Sequence, residues 1–312
     1  MSAPVKQRCE WIDAARCIAM VLILWLHAGG APEWLGGIVG GSICFFFMLA
    51  GYFMPRDPAR AAKRACRLAL AWLLWSVLSA ILFKLAQPNE LLEWQRVIGW
   101  EAPAYNTPLW FLRNLFLYQF LLVGLVVLRV LPRYKWPVLF LLCGFCYAAE
   151  PAQHLSLRFD WFLAALLGYN LHDVSLPRLR ELLAGHAWVL LALGLLLFLQ
   201  REYYPEWLAY KGVRGASCSL PVMQLCWAVG FALAAVGIER CCKRLSHAMA
   251  QCGSCMLFIY AAHSLAFAPF YILPLPAICR FALMMLVMVF LALLARYLQR
   301  VAPTPMRFLM AK

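Results

Sequence analysis

Three ionisable residues stand in the first apolar run of the chain, WIDAARCIAMVLILWLHAGG (Trp11 to Gly30): Asp13, Arg16 and His27. Each costs a few kcal/mol in a membrane-spanning helix, so their presence there asks for a reason. Asp13 and Arg16 are three apart and can pair on one helical face. Arg16 and His27 are eleven apart, about three turns, and share that face over a rise of about 16 Å. The stripe should look into a helix bundle rather than into lipid. Its chemistry would be proton transfer: a histidine titrates near working pH and can take the proton of a hydroxyl, which is otherwise a poor nucleophile. A histidine can also act as a nucleophile. The plain alternative is two interfacial charges and one histidine hydrogen-bonded within the bundle.

The elements that would position this stripe follow from composition. The 312 residues are 65% hydrophobic and 13% charged, with a mean hydropathy of +0.75. A soluble domain carries about twice that charged fraction. The expected fold is all-α, a polytopic integral membrane bundle forming one domain over 1–312, with no separate soluble domain. Ten spans can be read, at about 12–29, 36–54, 68–86, 108–130, 136–149, 159–171, 186–200, 220–238, 253–272 and 278–297. Paired broken helices of the transporter kind are not evident.

The net charge of +14 raises nucleic acid as a partner, but its distribution points elsewhere. With a cytoplasmic N-terminus, the inside segments hold nineteen Lys and Arg and the outside segments seven, with two left inside helix ends. That asymmetry supports an even span count with both termini cytoplasmic, and no nucleic acid. Lys6, Arg8 and the apolar core after them imitate a signal peptide. The His27 in that core and the spans that follow favour a retained first helix instead. The thirteen cysteines fall mostly in apolar runs or inside segments, where a thiol behaves as a small hydrophobe. Cys143/Cys146 and Cys252/Cys255 have CxxC spacing but no cluster of carboxylates or histidines nearby, so no metal site is expected.

Further residues have suitable types and positions. Arg64 and Arg67, three apart before the third span, can offer a fork of donors to phosphate, or they serve only as positive-inside charge. Trp110 and Arg113 open the fourth span at the expected depth of His27; an external snorkelling arginine is the alternative. His263 lies mid-span in the ninth, with Tyr260 three residues before it on the same face. Asp160 is a weak candidate for orienting His27.

These residues carry a resemblance. "WIDAARCIAMVLILWLH" resembles the opening helix of membrane acyltransferase family 3: an Ile-Asp pair, a basic residue, ten residues, then a histidine. "FFFMLAGYFM" resembles its second helix, and "RAAKRACR" its basic loop, with Arg64 and Arg67 matching an Arg-x-x-Arg element. "PLWFLRNLF" resembles its fourth helix and "SCMLFIYAAHSLAF" a late helix with Tyr-x-x-His. Two departures stand out: Cys17 replaces the usual glycine after the arginine, and Ala50 the usual serine before Gly51, so a serine hydroxyl is not needed there.

The resemblance implies an integral membrane O-acyltransferase of the bacterial inner membrane. It would move an acyl group, acetyl above all, from cytoplasmic acyl-coenzyme A to a hydroxyl of a cell-envelope glycan or glycolipid. It implies His27 as base with Asp13 and Arg16 beside it, Arg64 and Arg67 on the donor phosphates, and Arg113, Trp110, Tyr260 and His263 as candidates for acceptor or oxyanion. Acyl-coenzyme A (acetyl-coenzyme A) is donor substrate, with no permanently bound cofactor; partners are the acceptor glycan or lipid-linked sugar and membrane lipids. A polysaccharide or glycolipid exporter without acyl transfer is the alternative.

Overall fold

The structure is a computed structural model, and it describes residues 9–28, 35–98, 106, 108–149, 159–203, 214–270 and 273–310. Within them the chain is built of helices, with no strand. In chain order these are α1 (Glu10–His27), α2 (Leu35–Tyr52), α3 (Pro58–Ala86), α4 (Trp94–Ile98), α5 (Leu109–Val127), α6 (Val130–Ala149), α7 (Phe159–Asn170), α8 (Leu176–Tyr203), α9 (Arg214–Cys241), α10 (Lys243–Gly253), α11 (Met256–Phe267), α12 (Ala277–Val301) and α13 (Pro303–Leu309). Every expected span overlaps a helix, so the chain is an all-α membrane protein.

The expectation of ten crossings is met only in part. Among the described residues, four helices are long and apolar enough to cross a membrane: α3, α5, α12 and the 224–241 part of α9. The α10–α11 pair makes a fifth if taken as one span, but it is bent by 72° at a break of two residues. The others fall short for physical reasons. α1 carries Glu10, Asp13 and Arg16 within 18 residues, and α7 has only 12 residues. α6 is kinked at Tyr134, three residues before Pro137, whose ring cannot continue the hydrogen-bond ladder.

α2 is the central element, packed on α1, α7 and α9, while α3 lies along α5. Without a hydrophobic force between helices in lipid, small residues decide how close two backbones come. α2 and α7 meet at Gly51 and Gly168. A Cβ on Gly51 would fall 1.8 Å from the Ala165 carbonyl oxygen, and one on Gly168 1.9 Å from that of Met48. Around this crossing Phe47 and Trp161 stack, and Phe47 meets Phe111 and Tyr118.

α3 starts ten residues before its apolar run because its cap is encoded. Asp57 accepts a 2.8 Å hydrogen bond from the Arg60 backbone N–H, and Pro58 sits in the first turn, where no N–H is needed. The bundle has two ends, named here for the residues of α1 found there. The Asp13 end collects the polar ties of the loops. Asp173 pairs with Arg56 and, at 2.7 Å, with Lys135, and Arg180 pairs with Glu239 at 2.7 Å. The Tyr52 hydroxyl donates to the Val174 carbonyl at 2.6 Å. No disulfide forms among the described residues.

Candidate functional site

At the Asp13 end, α1 is held against the end of α10 by backbone contact. A Cβ on Gly253 would lie 1.8 Å from the Asp13 carbonyl oxygen, so only glycine fits. The carboxylate of Asp13, buried, accepts a 2.9 Å hydrogen bond from Arg16, as the spacing predicts. Arg16 also lies over the ring of Phe53, 5.8 Å from its centre, and Arg64 donates to the Phe53 carbonyl. That carbonyl follows the end of α2, where helical oxygens lack internal partners, so Arg64 acts as a cap. Phe53 thus sits between two guanidinium groups that are near enough to repel each other. Two cations against one carboxylate leave this corner positive.

The corner opens into a cavity of about 280 Å³. Arg16 and Arg64 line one part of it; Phe46, Leu68, Phe111, Leu115 and Tyr260 belong to its largely apolar wall. Gly253, Ser254 and Met256, at the break between α10 and α11, also line it. No side chain caps the start of α11, which brings the positive end of a helix dipole to the same space.

At the far end of α1, His27 is half-buried. Its ring centre is 5.3 Å from that of His263, which α11 carries. His263 is 2% exposed, and its Nδ1 lies 2.7 Å from the Tyr260 carbonyl oxygen. A carbonyl only accepts, so Nδ1 carries the proton and Nε2 of the neutral ring presents a lone pair. That buried Nε2 meets no hydrogen-bond partner among the described residues. Leaving a buried acceptor unmet costs about 1–3 kcal/mol. Tyr260 stands 5.8 Å from His263 and 4.7 Å from Phe111, centre to centre. Tyr260 lines the cavity and meets His263, which in turn meets His27, so it joins the two ends.

The structure sorts the remaining candidates. Arg67 is exposed and does not line the cavity, because Arg64 alone of the two turns inward. The expected two-arginine fork is therefore not formed. Arg113 is 1% exposed, inside the bundle and not snorkelling at its surface, with Asn114 and Gln119 buried after it on α5. Trp110 stacks on Trp161 at 4.8 Å, part-exposed. The side chain of Asp160 lies outside the described residues.

The structure adds several participants. Asn106, fully buried, donates to the Ala261 carbonyl at 2.7 Å, two residues from His263, and its own oxygen is unmet among the described residues. Gln119 donates to the carbonyl of Ala50, a cavity residue, at 2.9 Å. Buried amides of this kind can be suspected from polar residues flanking apolar runs. Phe53 and Ser254 could not have been found, since their roles arise only from the α1–α2–α10 packing.

The profile of acyltransferase family 3, an acyltransferase domain, matches residues 10–297, nearly the whole chain. The chain belongs to acyltransferase family 3. The protein is therefore an enzyme, an acyltransferase. Comparison with curated proteins and with solved structures finds no match. The matched segment contains both ends of the site: Asp13, Arg16 and Arg64 at one, His27, Tyr260 and His263 at the other.

Proposed function

We propose that this acyltransferase moves an acyl group, acetyl above all, from cytoplasmic acyl-coenzyme A to a hydroxyl of a cell-envelope glycan or glycolipid at the bacterial inner membrane. The observation that carries the reading is one connected line: Arg16 and Arg64, the cavity, Tyr260, then His263 and His27. Cations stand at one end of it and imidazoles at the other. We take the Asp13 end as cytoplasmic, with both termini on that side and ten crossings, because Arg56, Lys135, Arg180 and their neighbours gather there.

In this reading the phosphates of the donor meet Arg16 and Arg64, helped by the open start of α11. Asp13 holds Arg16 in place. Arg67, turned outward, is not assigned to the phosphates. The uncharged arm of the donor lies in the apolar part of the cavity and brings its thioester to Tyr260. His27 takes the proton of the acceptor hydroxyl as that oxygen attacks the thioester carbonyl carbon. A C–O bond forms. The tetrahedral oxyanion is met by the Tyr260 hydroxyl, then collapses with cleavage of the C–S bond. The coenzyme A sulfur leaves and takes the proton back from His27, so the base is restored. The unmet Nε2 of His263 is an acceptor for an acceptor-sugar hydroxyl or for the His27 N–H. Trp110 offers a flat face to a sugar ring.

The test is turnover of acetyl-coenzyme A by the purified protein in nanodiscs with envelope glycolipid as acceptor. The proposal expects release of the coenzyme A thiol matched by ester formed on the acceptor. Thiol release with no ester on any carbohydrate would overturn the acceptor assignment. Comparison of envelope esters with and without the protein identifies which hydroxyl is used.

A further inference from the structure

The cavity has a wall that the family does not supply. Met310 lines it together with Arg16, Arg64 and Leu68, yet the family match ends at residue 297. Met310 follows α13 and is 5% exposed, and Met306 of α13 is 2% exposed. Such burial is not that of a loose tail.

The return of the chain to this place is encoded locally. α12 ends at Val301; Ala302 has φ −131° and ψ 65°, and Pro303 opens α13. A residue before proline is pushed out of the helical region, so α12 must stop there. Pro303 and Pro305 both fall in the first turn of α13, where missing N–H groups cost nothing. The turn directs α13 onto α3 and α12. Two bonds fix it. The Trp75 indole N–H donates to the Leu309 carbonyl at 3.2 Å, and the Gln299 amide donates to the Met310 sulfur. The first solves two problems together: a buried indole needs an acceptor, and the last carbonyls of a helix need donors.

We infer that α13 and Met310 form part of the donor-binding site, with Met310 as the wall for the uncharged arm of an acyl thioester. This rests on the reading of the cavity as the donor site. The two arginines answer the phosphates, but the flexible arm needs an apolar surface that can adapt to it. A thioether on three rotatable bonds is such a surface. Leu68 and Leu115 are branched and fixed within α3 and α5, so the adaptable parts of the wall are its two thioethers, Met256 at the start of α11 and Met310 after α13. α13 then sets how tightly the donor is held and leaves the chemistry at His27 alone.

The experiment uses the full chain in nanodiscs and steady-state acyl transfer at varied acetyl-coenzyme A. Met310→Trp fills the space of the arm. The expected result is a donor KM raised about tenfold or more, with kcat changed less than about threefold and an unchanged unfolding temperature. Trp75→Phe removes the bond to Leu309 and keeps an aromatic ring; its donor KM should rise about threefold, again with kcat held. Trp75→Phe decides the matter if Met310→Trp does not fold. A purely structural α13 predicts a lower unfolding temperature with no split between KM and kcat, and that result overturns the inference. Wild-type protein that shows neither saturation by acetyl-coenzyme A nor a thermal shift with coenzyme A removes the donor-site reading itself. Wild-type saturation with a KM untouched by either substitution removes only the role of α13.

Discussion

The two ends of α1 solve opposite problems. The Asp13 end is charged, with a 2.9 Å ion pair, a second guanidinium on a carbonyl and an open cavity. The His27 end holds two imidazoles 5.3 Å apart among aromatic rings, and one of them is 2% exposed with a nitrogen unmet among the described residues. Fixed charge suits recognition of a charged ligand, since a guanidinium stays protonated wherever it is placed. A buried neutral imidazole suits proton transfer, since it can gain and lose charge within one turnover. In the proposed reaction Arg16 and His27 stand about 16 Å apart on one helix, at a rise of about 1.5 Å per residue.

The largest effect is expected at His27. His27→Ala should lower kcat by about 10³-fold, the range of a lost general base, while donor KM stays within about twofold. Next comes Gly253→Val, which puts a branched side chain into the Asp13 carbonyl. It should destabilise the protein by about 3 kcal/mol or more, read as a lower unfolding temperature and loss of coenzyme A binding. His263→Phe keeps the ring volume and removes the unmet nitrogen; transfer should fall about 10²-fold with normal folding. Arg64→Ala should act in the reverse sense from His27→Ala. Donor KM rises about tenfold and kcat changes little, as expected when binding common to ground and transition state is lost.

The smallest effect sharpens the comparison by touching neither end of the line. Asp173 lies outside the spans, where the hydrogen bond from Lys135 and the nearby Arg56 hold its carboxyl below the ordinary 3.8. Its folded pKa is depressed, so its contribution is present above the unfolded value and is lost as pH falls through the folded one. Asp173→Asn should thus cost under about 1 kcal/mol at neutral pH, because the pair is exposed and screened. The difference from wild type should vanish as pH falls through the depressed folded pKa. Both donor KM and kcat should be unmoved; a change in either would tie the loop cluster to the site.

What the sequence made legible is the part fixed by spacing within one helix. The pairing of Asp13 with Arg16 and the placement of Tyr260 beside His263 follow from three-residue separations, and both contacts are present. The meeting of His27 with His263 was not legible, since it joins helices 236 positions apart in sequence through the bend between α10 and α11. That bend was hidden because hydropathy records polarity and not direction; Gly253 and Ser254 look harmless at the start of an apolar run. The start of α3 was readable from Asp57 and Pro58, but a hydropathy window sees only the residues after Arg67. The inward turn of Arg64 and the outward turn of Arg67 depend on where α2 ends, so spacing on α3 could not separate them. The long-range contribution of Met310 had no local signature at all.

The central claim is that donor recognition and chemistry occupy separate ends of α1. Its most direct test is coenzyme A binding and acetyl transfer measured together on purified His27→Ala in nanodiscs. The account predicts a thermal shift with acetyl-coenzyme A equal to that of wild type, with transfer lost by about 10³-fold. Transfer retained at the wild-type rate would contradict the catalytic assignment of His27, and a lost thermal shift would contradict the separation of the two ends.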